Sequence, residues 1–172
     1  MKPIVVIGVL VASVALQSSL LGMRGGGTLA INLVLVAVVY LALIYGPATG
    51  TLAGTVGGLV QDTIGGGIIG IGGLSKTLVG FLAGVLGAQF NLTSTVPRLV
   101  MFMAASLVHQ VVFEVLHGIV DRRAVAFKMS AALTQAVLNG LIGVTAFLIV
   151  EKGPESAQRW RMNRASLSKR RF

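Results

Sequence analysis

The carboxylate of Asp62 lies in a glycine-dense and otherwise apolar stretch, Gly-Gly-Leu-Val-Gln-Asp-Thr-Ile-Gly-Gly-Gly-Ile-Ile-Gly-Ile-Gly-Gly over residues 57–73. An ionisable group at membrane depth is costly and is kept for a reason. Two jobs suit it: accepting backbone amides where a helix stops and restarts near Gly65, Gly66 and Gly67, or pairing with Lys76 or a partner's basic residue. A second set of polar residues follows at helical spacing. His109, Gln110, Glu114 and His117 form one stripe, and Gln135 and Asn139, four apart, form another. Residues three and four apart share a helix face, so each stripe faces the bundle interior or a partner rather than lipid. Hydrogen bonding between helices, a substrate path and partner contact are the three uses such stripes have.

Other patterns carry less chemistry than their spelling suggests. Glu114 and His117 have the i, i+3 spacing of di-iron bundles, but those sites need a second such pair and further glutamates. The remaining glutamates lie at 151 and 155 in the tail, so no metal site is expected. Gly70-Ile-Gly-Gly-Leu-Ser-Lys76-Thr is close to a phosphate-binding loop, yet no strand precedes it and the setting is lipid. It reads as a glycine-rich helix entry with Lys76 near the interface. Asn91-Leu-Thr93 fits a glycosylation acceptor but is too short a pattern to use. The chain has no cysteine, hence no disulfide, thiolate nucleophile or Cys-based metal site. No catalytic residue and no cofactor is expected.

The elements that must position these residues are membrane helices. The 172-residue chain is 55% hydrophobic with only 11% charged residues, against about 25% in ordinary soluble domains. That much apolar surface cannot be hidden in a soluble core. Windows of roughly 20 apolar residues place six spans at about 3–21, 28–45, 48–61, 73–88, 99–120 and 124–150. A turn is expected at residues 23–27, a loop or broken helix at 64–72, and a polar turn at 89–97. Fold class is therefore all-α, a polytopic membrane protein with a glycine-rich break between the third and fourth helices. Residues 1–150 form the bundle and 151–172 a basic cytoplasmic tail.

Thirteen of the 23 glycines fall between Pro47 and Phe90. Gly46, Gly50, Gly54 and Gly58 recur every fourth residue, and Gly80 and Gly84 repeat the theme. Such small-xxx-small faces let helix backbones approach closely, either within the protein or against a partner helix.

The net charge of +9 is not a nucleic-acid signal, because seven of the 14 basic residues crowd into the tail. Arg159, Arg161, Arg164, Lys169, Arg170 and Arg171 there suit anionic lipid on the cytoplasmic side. Putting both termini inside keeps Lys2, Arg98 and the tail cytoplasmic and leaves Arg24, Arg122, Arg123 and Lys128 outside, a balance favoured by the distribution of basic residues.

Residues 58–74 and Leu78-Val-Gly80-Phe-Leu-Ala-Gly84 resemble the MreD family of bacterial rod shape-determining membrane proteins. Its members show an aspartate after a Gly-Leu-rich third helix, then glycines and a Gly-x-x-x-Gly helix entry. The resemblance implies an inner-membrane scaffold without an active site, binding MreC and organising side-wall peptidoglycan synthesis. Nearby it would have the glycosyltransferase RodA with its transpeptidase, and the MreB filament on the cytoplasmic face. It also implies a fold similar to the substrate-binding subunits of energy-coupling-factor transporters, with Asp62 and Gly65–Gly67 on the outer side. Two rivals stand beside this reading. A vitamin- or metal-binding subunit of such a transporter would need an outer pocket with converging polar or aromatic groups, sparsely furnished by one Trp and two Tyr. A membrane enzyme would have to use Glu114, His109 and His117.

Overall fold

The computed structural model describes the backbone of residues 3–23, 31–90, 94–122 and 128–169, with side chains placed in 3–20, 31–90, 94–122 and 128–151. Expectations about the turn at 24–27, Asn91–Thr93, Arg123 and the lipid-facing residues Arg159, Arg161, Arg164, Lys169, Arg170 and Arg171 lie outside the residues so described. The described chain is entirely helical: α1 (Pro3–Met23), α2 (Leu33–Tyr45), α3 (Pro47–Gly65), α4 (Ile71–Gln89), α5 (Thr95–Asp121) and α6 (Met129–Lys169). Four of these, α1, α4, α5 and the 129–151 part of α6, are long and apolar enough to cross a membrane. The chain is a polytopic all-α membrane protein.

The helix boundaries follow local chemistry. Pro47 opens α3, where its missing N–H has no partner to lose. α3 ends with Gly66 at φ 67° and α4 begins after Gly70 at φ 106°, left-handed conformations that glycine adopts without a Cβ penalty. The break expected at 64–72 is therefore real but shorter, spanning five residues between the two helices.

α2 departs from expectation. Apolar residues run from Thr28, yet the helix starts only at Leu33 and is 13 residues long. Asn32 is the reason: its side chain accepts from the Leu35 amide at 3.0 Å and caps the helix. Non-helical backbone deep in a bundle survives only where protein or a cavity satisfies it. Gln17 of α1 does so here, donating to the Ile31 carbonyl at 3.0 Å and accepting from the Leu33 amide at 2.7 Å.

α2 is the central element, with Val34, Leu35, Val38, Val39, Leu41 and Ala42 all buried. α1 and α3 cover one side of it and α4, α5 and α6 the other. α3 and α4 form the closest pair. A Cβ on Gly50 would strike the Gly80 carbonyl, one on Gly54 the Lys76 carbonyl, one on Gly58 the Gly73 Cα at 2.5 Å, and one on Gly84 the backbone of Pro47. The glycine face is occupied by the chain's own helices. A Thr55–Thr77 hydroxyl contact at 2.8 Å fixes their register.

At one end of the bundle Arg98 at the start of α5 makes a bidentate pair with Glu151 on α6, at 2.7 and 2.6 Å. Its guanidinium also lies 4.6 Å over the Phe147 ring. The break between α3 and α4, the start of α2 and the start of α6 gather at the other end. That is where the polar residues converge.

Candidate functional site

A cavity of about 660 Å³ opens at this second end, bordered by α1, the residue before α2, the α3–α4 break, α5 and the start of α6. Its volume falls within the range of small-molecule sites. The walls combine opposite charges with amides: Asp62, Lys76, Glu114 and Lys128, together with Gln17, Asn32, Gln61, Gln110 and Gln135. Phe113 adds an aromatic face.

Asp62 sits at the break. Its Oδ2 accepts the Gly70 amide at 2.9 Å and the Gly73 amide at 3.1 Å. It thus holds the first turn of α4, where a carboxylate is also favoured by the helix dipole. Among the described residues its carboxylate makes no ion pair with Lys76. Gly65 and Gly67 line the cavity, while Gly66 supplies the left-handed turn.

Lys76 does not point outward from the bundle. It is 2% exposed, packed between α3, α4 and the cavity, and no hydrogen bond or ion pair of its ammonium occurs among the described residues. A cation so placed is expensive unless something charged or polar comes to it. The reason it could be misread is local: it stands one turn into a helix after a glycine run, where a lysine ordinarily snorkels outward. Here the Gly54 contact pins its backbone against α3, and the side chain is enclosed.

The polar stripe of α5 divides. His109 is 3% exposed, with Nε2 3.4 Å from the Asn32 amide nitrogen and a buried Nδ1 that has no partner. Gln110 donates to Glu114 at 3.1 Å, and both line the cavity. His117 lies beyond the cavity, its ring 4.7 Å from Phe113. On α6, Gln135 lines the cavity, whereas Asn139 is fully buried beneath it. Asn139 accepts the Asn32 backbone amide at 3.0 Å and donates to Ser106 at 3.1 Å. No group of three or more His, Cys, Asp or Glu side chains able to hold a metal occurs among the described residues.

Gln17, Asn32, Gln61 and Phe113 escaped the sequence reading. Gln17 and Asn32 each carried a visible signal, a lone amide in an apolar run. Gln61 was overshadowed by its neighbour Asp62, and Phe113 looks like any lipid-facing aromatic. Where a sparsely furnished pocket was expected from the Trp and Tyr count, the cavity is lined with amides, two lysines and a histidine.

Fold and cavity together describe a polytopic membrane protein with a polar-walled cavity between its helices. The model of the family described as ECF-type riboflavin transporter, S component, matches residues 1–152, and the chain belongs to that family. No curated protein and no solved structure matches the chain.

The family match overturns the resemblance to MreD. With it go the assignment to the rod complex, the roles in cell shape and peptidoglycan synthesis, and the partners MreC, RodA with its transpeptidase, and MreB. The physical reason for the misreading is visible at the break. Asp62 capping α4 and glycines joining α3 to α4 are devices for folding a broken helix pair, and they carry no information about a partner. The transporter rival, set second from the sequence, is the reading the family supports.

Proposed function

We propose that this chain is the substrate-capturing subunit of an energy-coupling-factor transporter, taking riboflavin or a close flavin into the cavity at the α3–α4 break. It has no catalysis of its own and delivers the ligand to a coupling module of ATPase subunits and a membrane subunit. The cavity would open on the outer side, with both termini and the basic residues 152–171 on the cytoplasmic side near anionic lipid.

The observation that carries this reading is the composition of the cavity wall. A neutral ring system with carbonyls and ring nitrogens along one edge, and a hydroxyl-rich chain, needs both donors and acceptors plus an aromatic surface. Lys76, Gln61, His109, Glu114, Gln135 and Phe113 supply that mixture within about 660 Å³. The two acidic and two basic side chains on the wall balance, which suits an uncharged ligand.

The test is direct. Purified protein in mild detergent is titrated into riboflavin while flavin fluorescence is followed, and unfolding is measured with and without ligand. Binding should quench the flavin, and a hundredfold excess over Kd should stabilise the fold by about 2.7 kcal/mol. A folded protein that neither quenches riboflavin nor gains stability from it sinks the proposal.

A further inference from the structure

Three polar groups lining the cavity have no hydrogen-bond partner among the described residues. They are the ammonium of Lys76 on α4, Oε1 of Gln61 on α3 and Nδ1 of His109 on α5. The two atoms on Gln61 and His109 are buried without a hydrogen-bond partner among the described residues. Lys76 and His109 are 2% and 3% exposed. Buried polar groups are rarely left unpaired, because each forgoes the hydrogen bonds it had in water. Nearby polar groups have been satisfied: Asp62 by two amides, Asn32 by Leu35, Asn139 by Asn32 and Ser106, and Gln17 by Ile31 and Leu33. Three such side chains, on three helices, border one cavity, and one further unpaired atom among the described residues, Nδ1 of His117, lies beyond it.

Their chemistry is specific. An ammonium has donors and no acceptor, and an amide oxygen accepts only. A ligand edge matching both offers an acceptor oxygen to Lys76 and a donor to Gln61, as a carbonyl beside an N–H does. We infer that Lys76 and Gln61 recognise a carbonyl–N–H–carbonyl edge of the ligand ring, with His109 beside them as a ring nitrogen that takes either role according to its tautomer. The inference rests on the proposed flavin-binding function and assigns which end of the ligand goes in first. The imide edge of the ring enters toward the buried lysine, and the hydroxyl-bearing chain stays toward Glu114, Gln135 and Lys128, which are partly or fully exposed. Phe113 on α5, with its ring 5.7 Å from His109, flanks the ring between these ends.

This polarity makes the ring edge, and not the chain, the feature that must be right. A site built to hydrogen-bond an N–H rejects the analogue lacking it far more strongly than an apolar pocket rejects an extra methylene.

The experiment compares three ligands on the full chain in detergent: riboflavin, its N3-methyl derivative, in which the imide N–H is blocked, and lumiflavin, which keeps the edge and lacks the hydroxylated chain. The expected result is that N3-methylation weakens binding by at least a hundredfold, whereas lumiflavin stays within about tenfold of riboflavin. Gln61→Leu should weaken riboflavin and shrink the discrimination against the methylated ligand to below tenfold, whereas Lys76→Met should weaken both ligands alike. Because the ligand comparison uses the unmodified protein, it stands even where a variant fails to fold. Riboflavin and N3-methylriboflavin binding equally well would overturn this inference and leave the flavin-binding function intact. Loss of affinity on removing the chain, with tolerance of the methyl group, would reverse the proposed orientation and overturn it too. A folded chain that binds none of the three refutes both the function and the inference built on it.

Discussion

The glycine contact between α3 and α4 makes a prediction that runs against ordinary helix propensity. In a helix interior, alanine is worth roughly 0.5–1 kcal/mol more than glycine. Gly58→Ala should nonetheless destabilise. A Cβ there would lie 2.5 Å from the Gly73 Cα and 2.7 Å from the Gly72 carbonyl oxygen, where ordinary contact begins at 3.4 Å. The helices would have to part by close to an ångström, and the atoms in the way are backbone, which cannot rotate aside. Overpacking of this kind costs about 1–3 kcal/mol, so after the propensity gain the net loss is roughly 0.5–2 kcal/mol. Parting the pair also disturbs the two amides that Asp62 holds and the Thr55–Thr77 contact, which pushes toward the upper end. The control is Gly65→Ala at the end of the same helix, where nothing lies within 4 Å and φ is not positive. It should be neutral or slightly stabilising. Both variants are compared with the parent by reversible unfolding in mixed micelles of mild detergent and SDS. Equal stability of the two variants would refute the claim that the glycine face is consumed by internal packing.

Other consequences are as easily checked. Asp62→Ala strands the Gly70 and Gly73 amides and should lower stability by about 1–3 kcal/mol, with Asp62→Asn falling between it and the parent, as read in the same unfolding assay. Asn139→Leu removes the acceptor for the Asn32 backbone amide, 107 positions away, and should cost roughly 1–3 kcal/mol. Because Asn32 borders the cavity, the same variant should weaken flavin binding measured by fluorescence, although Asn139 itself does not line it. At the opposite end, Arg98→Ala should lower the melting temperature more than Glu151→Gln. The arginine is buried and stacks on Phe147, while the glutamate side chain is half exposed. Equal shifts would show that the ion pair, and not the packing of Arg98, holds that corner.

Much of the architecture was legible along the chain. Low charge and long apolar runs dictated an all-helical membrane protein, because lipid leaves backbone groups no partner outside the helix. Four-residue glycine spacing announced close helix contact, and the cluster at 65–70 announced a break. These are local properties, set by side-chain size and by what each residue's own backbone can adopt. The identity of the contact was not local. Gly54 and Gly58 could have met another protein, and only the tertiary structure shows that α4 is there.

The site was legible in its parts and not in its assembly. His109, Gln110, Glu114 and Gln135 stood out as polar residues at helical spacing, but spacing says which face they share and not what the face encloses. The late start of α2 was hidden because Asn32 lies inside an apolar run that would pass for helix throughout. Its stability depends on Gln17 and Asn139, far away in the sequence. The enclosure of Lys76 was hidden for the same reason. Its neighbours in the chain place it at a helix entry, and what buries it is α3 pressed against α4 and the helices that border the cavity. Sequence by itself determined the solvent this protein lives in, its helices and where the chain must bend, because each of those is decided within a turn or two of backbone. Tertiary structure alone decided which polar groups meet and which are left unpaired, because that depends on side chains brought together from five different parts of the chain.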